Sequence, residues 1–140
     1  MDDGGKLGER NNNPLNLEGR NIPWHGLLGC DPKGYCIFAT VELGLRAGAR
    51  DLHTKWAKDG LRTFAAIVPK FAPAADHNDV AAYVADLVSR TGIGADEPLD
   101  LDSAAELASV VKAFICHENG RCIYSDETII DACRIALIPD

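Results

Sequence analysis

From residue 41 onward, apolar positions recur with helical period. Leu45, Ala49, Leu52 and Trp56 fall on one face after Thr40, and Gly60 closes that segment. Thr63 then caps a shorter helix carrying Phe64, Ile67 and Val68, which Pro69 and Pro73 restrict or end. A third helix starts with Asn78 or Asp79 as N-cap, shows Val80, Tyr83, Val84, Leu87 and Val88 as its apolar stripe, and stops near Thr91-Gly92. Ser103-Ala-Ala-Glu106 has the form of a capping box. It opens a fourth helix whose Leu107, Val110, Val111, Phe114 and Ile115 suit a buried element, with Gly120 placed to end it. Ser125 or Asp126 caps a last helix with Ile129, Ile130, Cys133 and Leu137 inward.

The N-terminal third follows a different rule. Residues 1–9 are polar and Gly-rich and read as a loose lead-in. Arg10-Asn-Asn-Asn-Pro-Leu-Asn16 is dense in side chains that bond their own backbone and favour turns. Between Trp24 and Ala39, the pieces Trp-His-Gly-Leu-Leu-Gly, Asp-Pro-Lys-Gly and Tyr-Cys-Ile-Phe-Ala predict two short strands around a turn, a β-hairpin. The fold class is therefore mainly α, or α+β with the strands confined to the first third. One domain over residues 10–140 suits a chain of 140 residues.

Charge and cysteine content narrow the partners. Fourteen basic against 21 acidic residues give a net charge of −7, and no Lys/Arg cluster forms a phosphate track, which weighs against nucleic acid. No apolar run approaches the roughly 20 residues of a membrane span. The start Met-Asp-Asp-Gly-Gly-Lys lacks the basic and apolar stretches of a secretory signal, so export is expected to use another route. Five cysteines are many for a cytosolic protein of this size. Cys30 with Cys36, and Cys116 with Cys122, each bracket five residues, so two local disulfides are geometrically open and Cys133 is left over. Cys116 with Cys133, plain buried thiols, and a metal site drawing on His25 and His117 are the competing readings. The spacing matches no short zinc-ligand pair, and neither metal nor cofactor is expected. Disulfides would place the working protein outside the cytoplasm.

Glu118 is the leading chemical candidate. It sits on the last turn of the most apolar helix, where the electron-rich helix end and partial burial both favour the protonated carboxyl. A carboxylic acid that keeps its proton near neutral pH is what glycosidic bond cleavage requires, because the departing sugar oxygen must be protonated. A solvated side chain, or one paired with Arg121, is the bland reading.

The run Ala113-Phe-Ile-Cys-His-Glu-Asn-Gly120 resembles the catalytic helix end of lysozyme-like lytic transglycosylases and flagellar-type glucosaminidases. Asn12-Asn-Pro-Leu-Asn-Leu with Trp24-His-Gly and Phe38-Ala-Thr is similar to the Asn-Asn segment, Trp-Gly hairpin and Phe-containing strand of the glucosaminidases. The Arg-Asn-Asn-Asn-Pro opening, the Asn78-Asp79…Tyr83 helix and His-Glu-Asn-Gly also resemble phage virion and secreted wall-degrading proteins, so the matches run from Arg10 to about Asp126. The resemblance implies a lysozyme-like catalytic domain that cuts the peptidoglycan glycan strand as a muramidase, glucosaminidase or lytic transglycosylase. In those families the acidic helix precedes the hairpin, whereas here it follows, and a circular permutation reconciles the order.

The resemblance makes Asn12, Asn13, Asn16, Trp24 and Tyr83 substrate-binding candidates. The alternatives are loop satisfaction for the asparagines and ordinary packing for the aromatics. Without permutation, Glu9 becomes the rival acid, although its polar flanks offer no apolar helix. Glu42, Glu18 and Asp126 are undistinguished candidates for a second carboxylate. A Cys–His nucleophile is a further option, from Cys116-His117 or from Cys36 with His53 or His77. The expected setting is the bacterial periplasm or cell wall, reached through a phage particle or a secretion machine, with an immunity or inhibitor protein as a further partner. The reading from another class is a non-catalytic phage structural or wall-binding module on the same fold.

Overall fold

The computed structural model describes residues 5–73 and 77–139. Its element order is α1 (Leu7–Arg10), β1 (Leu27–Cys30), β2 (Cys36–Phe38), α2 (Val41–Ala57), α3 (Phe64–Phe71), α4 (Val80–Thr91), α5 (Ala104–Asn119) and α6 (Asp126–Ala136). The fold is mainly helical with one antiparallel hairpin, as the hydrophobic pattern predicts.

Local chemistry sets the helix starts. Thr40, Thr63, Asp79, Ser103 and Ser125 occupy the N-caps of α2 to α6, and each side chain accepts a backbone N–H three residues on. Such caps satisfy donors that the first helical turn leaves open and contribute roughly 1 kcal/mol apiece. Gly92 and Gly120 end α4 and α5 at φ +75°, where a Cβ would be strained. The box at Ser103 is only half made, because Glu106 accepts from the backbone N–H of Asp100 instead of reaching back to Ser103. Pro69 lies inside α3 and does not end it. It lacks an N–H to give to the carbonyl of Ala65, and the helix runs two residues further before Ala72 N–H closes on Val68 O.

α2 is buried almost all round in its first half, from Gly44 to Ala49, and packs against α3, α5, α6 and β2. α5 presses Leu107, Val110, Val111, Phe114 and Ile115 into the same core, where α4 contributes Tyr83 and Leu87 and α3 contributes Phe64, Ile67 and Val68. Trp56 fills one end of this core, and its indole N–H reaches Leu99 O at 2.9 Å. On α6 the inward face is Ile129, Ala132, Cys133 and Ala136, so Ile130 and Leu137 are half-buried at its flanks.

The expectation of a loose lead-in over residues 1–9 is corrected where the structure describes it. Residues 1–4 lie outside the described residues, but Leu7–Arg10 form a helical turn with Gly8 buried. All five cysteines are unbonded thiols in the structure, Cys36 and Cys133 buried and Cys30 exposed.

Candidate active site

The asparagine run folds by bonding itself to the hairpin. Asn12 and Asn16 adopt φ of 52° and 53°, a left-handed backbone that asparagine tolerates better than most residues. Asn11 Nδ2 donates to Asp31 Oδ2 at 2.9 Å and Asn12 Nδ2 to Phe38 O at 3.1 Å. Asn13 is fully buried. Its amide donates to Leu17 O and Cys36 O, and its Oδ1 accepts from Leu17 N–H, all at 3.0 Å. Asn12 and Asn13 therefore hold the loop to β2, and neither side chain lines the groove described below. The loop rests on α2 at a point of close approach, where a Cβ on Gly44 would lie 1.7 Å from Asn12 O.

Asn16 differs from its neighbours. Its Nδ2 donates to Glu118 Oε1 at 2.9 Å, and Tyr83 Oη donates to Glu118 Oε2 at 2.7 Å. One residue further along α5, buried Asn119 donates to Pro14 O at 2.8 Å, so two adjacent residues of α5 clasp the same loop. The two runs singled out in the sequence, Arg10–Asn16 and Ala113–Gly120, thus meet across 102 and 105 residues of chain. Gly8 seals the junction. Its missing side chain faces Asn16 Oδ1, Asn119 Oδ1 and Asn13 O, at 2.7–2.8 Å from where a Cβ would stand. Among the described residues, neither side-chain oxygen accepts an N–H or O–H.

Glu118 opens onto a groove of about 270 Å³, walled by Asn16, Glu18, Arg20 and Trp24 on one side and by Asp51, Lys55 and Asn78 on others. Trp24 is half-buried there, presenting aromatic surface beside polar groups. Of a carboxylate's roughly four acceptor positions, Asn16 and Tyr83 take two, which leaves Glu118 able to engage a guest. Tyr83 is itself buried. Its phenol is pushed far above the ordinary range, first by burial and then by the adjacent Glu118 charge, so it remains a hydrogen-bond donor to the carboxyl.

Among the second carboxylates, only Glu18 borders the groove. Glu42 stands exposed in the first turn of α2, and Asp126 bonds Lys112 at 2.8 Å beside a separate hollow between α5 and α6. The groove also carries Asp51 and Asp59, which the sequence reading missed. Asp51 accepts from Lys55 at 2.8 and 2.9 Å, an i,i+4 pair that spacing alone could have flagged. Glu9, the rival acid, is turned away. Its side chain is 4% exposed and fixed by Arg121 through two bonds of 2.8 and 3.1 Å. The Arg121 hydrogen bonds hold its carboxyl below the usual range, against the opposing effect of burial.

The Cys–His pairs do not assemble. His117 Nδ1 bonds Asp86 Oδ2 at 2.8 Å while its ring lies 3.8 Å from that of Tyr83, and neighbouring Cys116 faces the α5–α6 hollow. His53 bonds Asp102, and His77 is exposed. The carboxyl of Asp86 is held below its ordinary value, chiefly by its bond to Arg90 and then by the bond to His117, with burial opposing. Among the described residues, no group of three or more His, Cys, Asp or Glu side chains is placed to hold a metal ion, and no helix is long and apolar enough to cross a membrane.

The chain matches no protein-family model. It is 36% identical over 127 residues to Protein P5 of Pseudoalteromonas phage PM2, covering 87% of this chain and 76% of that protein.

Proposed function

We propose a wall-cutting activity from the premise that this chain belongs to the family of Protein P5 of Pseudoalteromonas phage PM2. The reading is a glycosidase or lytic transglycosylase that cleaves the peptidoglycan glycan strand, with Glu118 as general acid. A phage must pass the host wall on entry and on release, so a phage relative fits that role. The observation that carries the reading is the placement of Glu118: a part-buried carboxyl at the end of α5, gripped by Asn16 and Tyr83, facing a groove that also presents Trp24. The packing of α1 on α5, with Gly5 and Lys6 beside Asn119–Arg121, brings the end of the acidic helix next to the start of the asparagine loop, and this proximity supports the resemblance despite the different chain order.

In this mechanism the glycan lies along the groove with one sugar against Trp24, and Glu118 gives its proton to the departing sugar oxygen. Tyr83 and Asn16 keep the carboxyl aimed. Water, or the substrate's own acetamide or 6-hydroxyl, attacks the anomeric carbon. A hydrolysed strand and an anhydro-ended strand are the two corresponding products.

The test is clearing of a turbid peptidoglycan suspension. The unmodified chain should clear it, and Glu118→Gln should lower the rate by roughly 10²–10⁴-fold with an almost unchanged melting temperature. Clearing that persists in Glu118→Gln would reject Glu118 as the acid. Failure of the unmodified chain to clear would favour the non-catalytic structural or wall-binding module. Mass spectrometry of released muropeptides then separates anhydro from reducing ends.

A further inference from the structure

The hairpin sets Cys30 directly across from Cys36. The backbone N–H of Cys36 turns away to Leu17 O at 2.8 Å, while the next pair toward the turn is closed by Asp31 N–H to Tyr35 O, also at 2.8 Å. By the antiparallel alternation, Cys30 and Cys36 form a non-hydrogen-bonded pair, whose Cα atoms stand about 4.5 Å apart with their side chains close together. That separation lies within the roughly 4.4–6.8 Å over which a disulfide closes without backbone movement. The neighbouring chain leaves room for the sulfurs. Gly19 has no side chain, and a Cβ built on it would lie 2.4 Å from Cys30 Sγ.

We propose that Cys30 and Cys36 form a modification site, a dithiol that a disulfide oxidant of the glutathione type closes into an intramolecular bridge. Cys30 is exposed and meets the oxidant first. Its thiolate attacks one oxidant sulfur, the oxidant's S–S bond breaks, and one thiol leaves. The Cys36 thiolate then attacks Cys30 Sγ in the mixed disulfide. The Cys30–Cys36 bond forms, the second oxidant thiol departs with the proton lost by Cys36, and two electrons have passed from the protein to the oxidant. Burial, and then the facing Cys30 thiol, push the Cys36 thiol up to about 11, whereas exposed Cys30 is open to the oxidant. The other cysteines are arranged differently. Cys122 Sγ donates to Tyr124 O at 3.6 Å, and Cys133 is fully buried, with burial pushing its thiol up to about 12.

The bridge would staple β1 to the strand on which the asparagine loop hangs, since Asn13 donates to Cys36 O and Asn12 to Phe38 O. This inference does not depend on the wall-cutting reading, and its test reads no activity. The full chain is equilibrated with oxidised or reduced glutathione, its free thiols are alkylated after denaturation, and it is digested with trypsin. Cleavage after Lys33 divides the two cysteines between the fragments Asn21–Lys33 and Gly34–Arg46. Oxidation should join those fragments, leave the other three cysteines alkylated, and raise the melting temperature by roughly 5–10 °C. Cys30→Ser should remove that gain, and Cys116→Ser should keep it. Separate fragments after oxidation, a glutathione adduct left on Cys30, or a bridge to Cys116, Cys122 or Cys133 would overturn the proposal.

Discussion

Tyr83 shows how much of the site depends on single atoms. The residue is 1% exposed, its ring lies between Phe114 and His117, and its hydroxyl donates to Glu118 Oε2. Tyr83→Phe keeps the ring and deletes that one bond. We expect a loss of about 1 kcal/mol in stability. If Glu118 works as the acid, kcat for wall clearing should also fall about tenfold at nearly constant KM, the signature of a misaimed catalytic group. An unchanged kcat would reduce Tyr83 to a core residue. The asparagines make the complementary point about sequence. Four of them within six positions announced a bonded loop, but nothing local told Asn16 from Asn13. Their distant partners separate them: Cys36 for Asn13, Glu118 for Asn16.

At the level of elements, the glycines of α2 are the most revealing. A glycine inside a helix costs about 1 kcal/mol relative to alanine, yet Gly44 and Gly48 occur there together. They let the asparagine loop lie against the helix, with Asn12 O over Gly44 and Leu15 over Gly48. Gly44→Ala, which elsewhere in a helix would stabilise, should here cost at least about 2 kcal/mol, because the added Cβ meets backbone that cannot rotate aside. Thermal melts would measure the loss, and a more stable variant would show that the loop can shift. The longer helices were legible in the sequence because period and N-cap agree for α2 to α6, and in α4 and α5 a terminal glycine agrees as well, as from Ser103 to Gly120. α1 was not. Leu-Gly-Glu-Arg has no amphipathic period, and its order comes from Arg121, 112 residues away from Glu9.

That Glu9–Arg121 bond also acts at the scale of the whole molecule, because it fastens the first helix to the turn that follows Glu118. The Glu9 carboxyl has an ordinary value of 4.5 and is lowered in the fold. Its contribution is therefore present in full above about 4.5 and is lost as pH falls through the folded value. Arg121→Ala should lower the melting temperature near neutral pH, and the gap from the unmodified chain should close as the pH falls through the lowered value of the folded Glu9 carboxyl. A gap independent of pH would mean that Arg121 stabilises by packing alone. The groove itself was only half legible for a related reason. Glu118 and Trp24 carried recognisable surroundings, whereas Asp51 and Asp59 enter it through the orientation of α2, which no local pattern encodes. The 102 residues separating Asn16 from Glu118 have one more consequence. Every residue from Asn16 to Glu118 must leave the ribosome before those two can touch, so closure of that very large loop is expected among the slow, late events of folding.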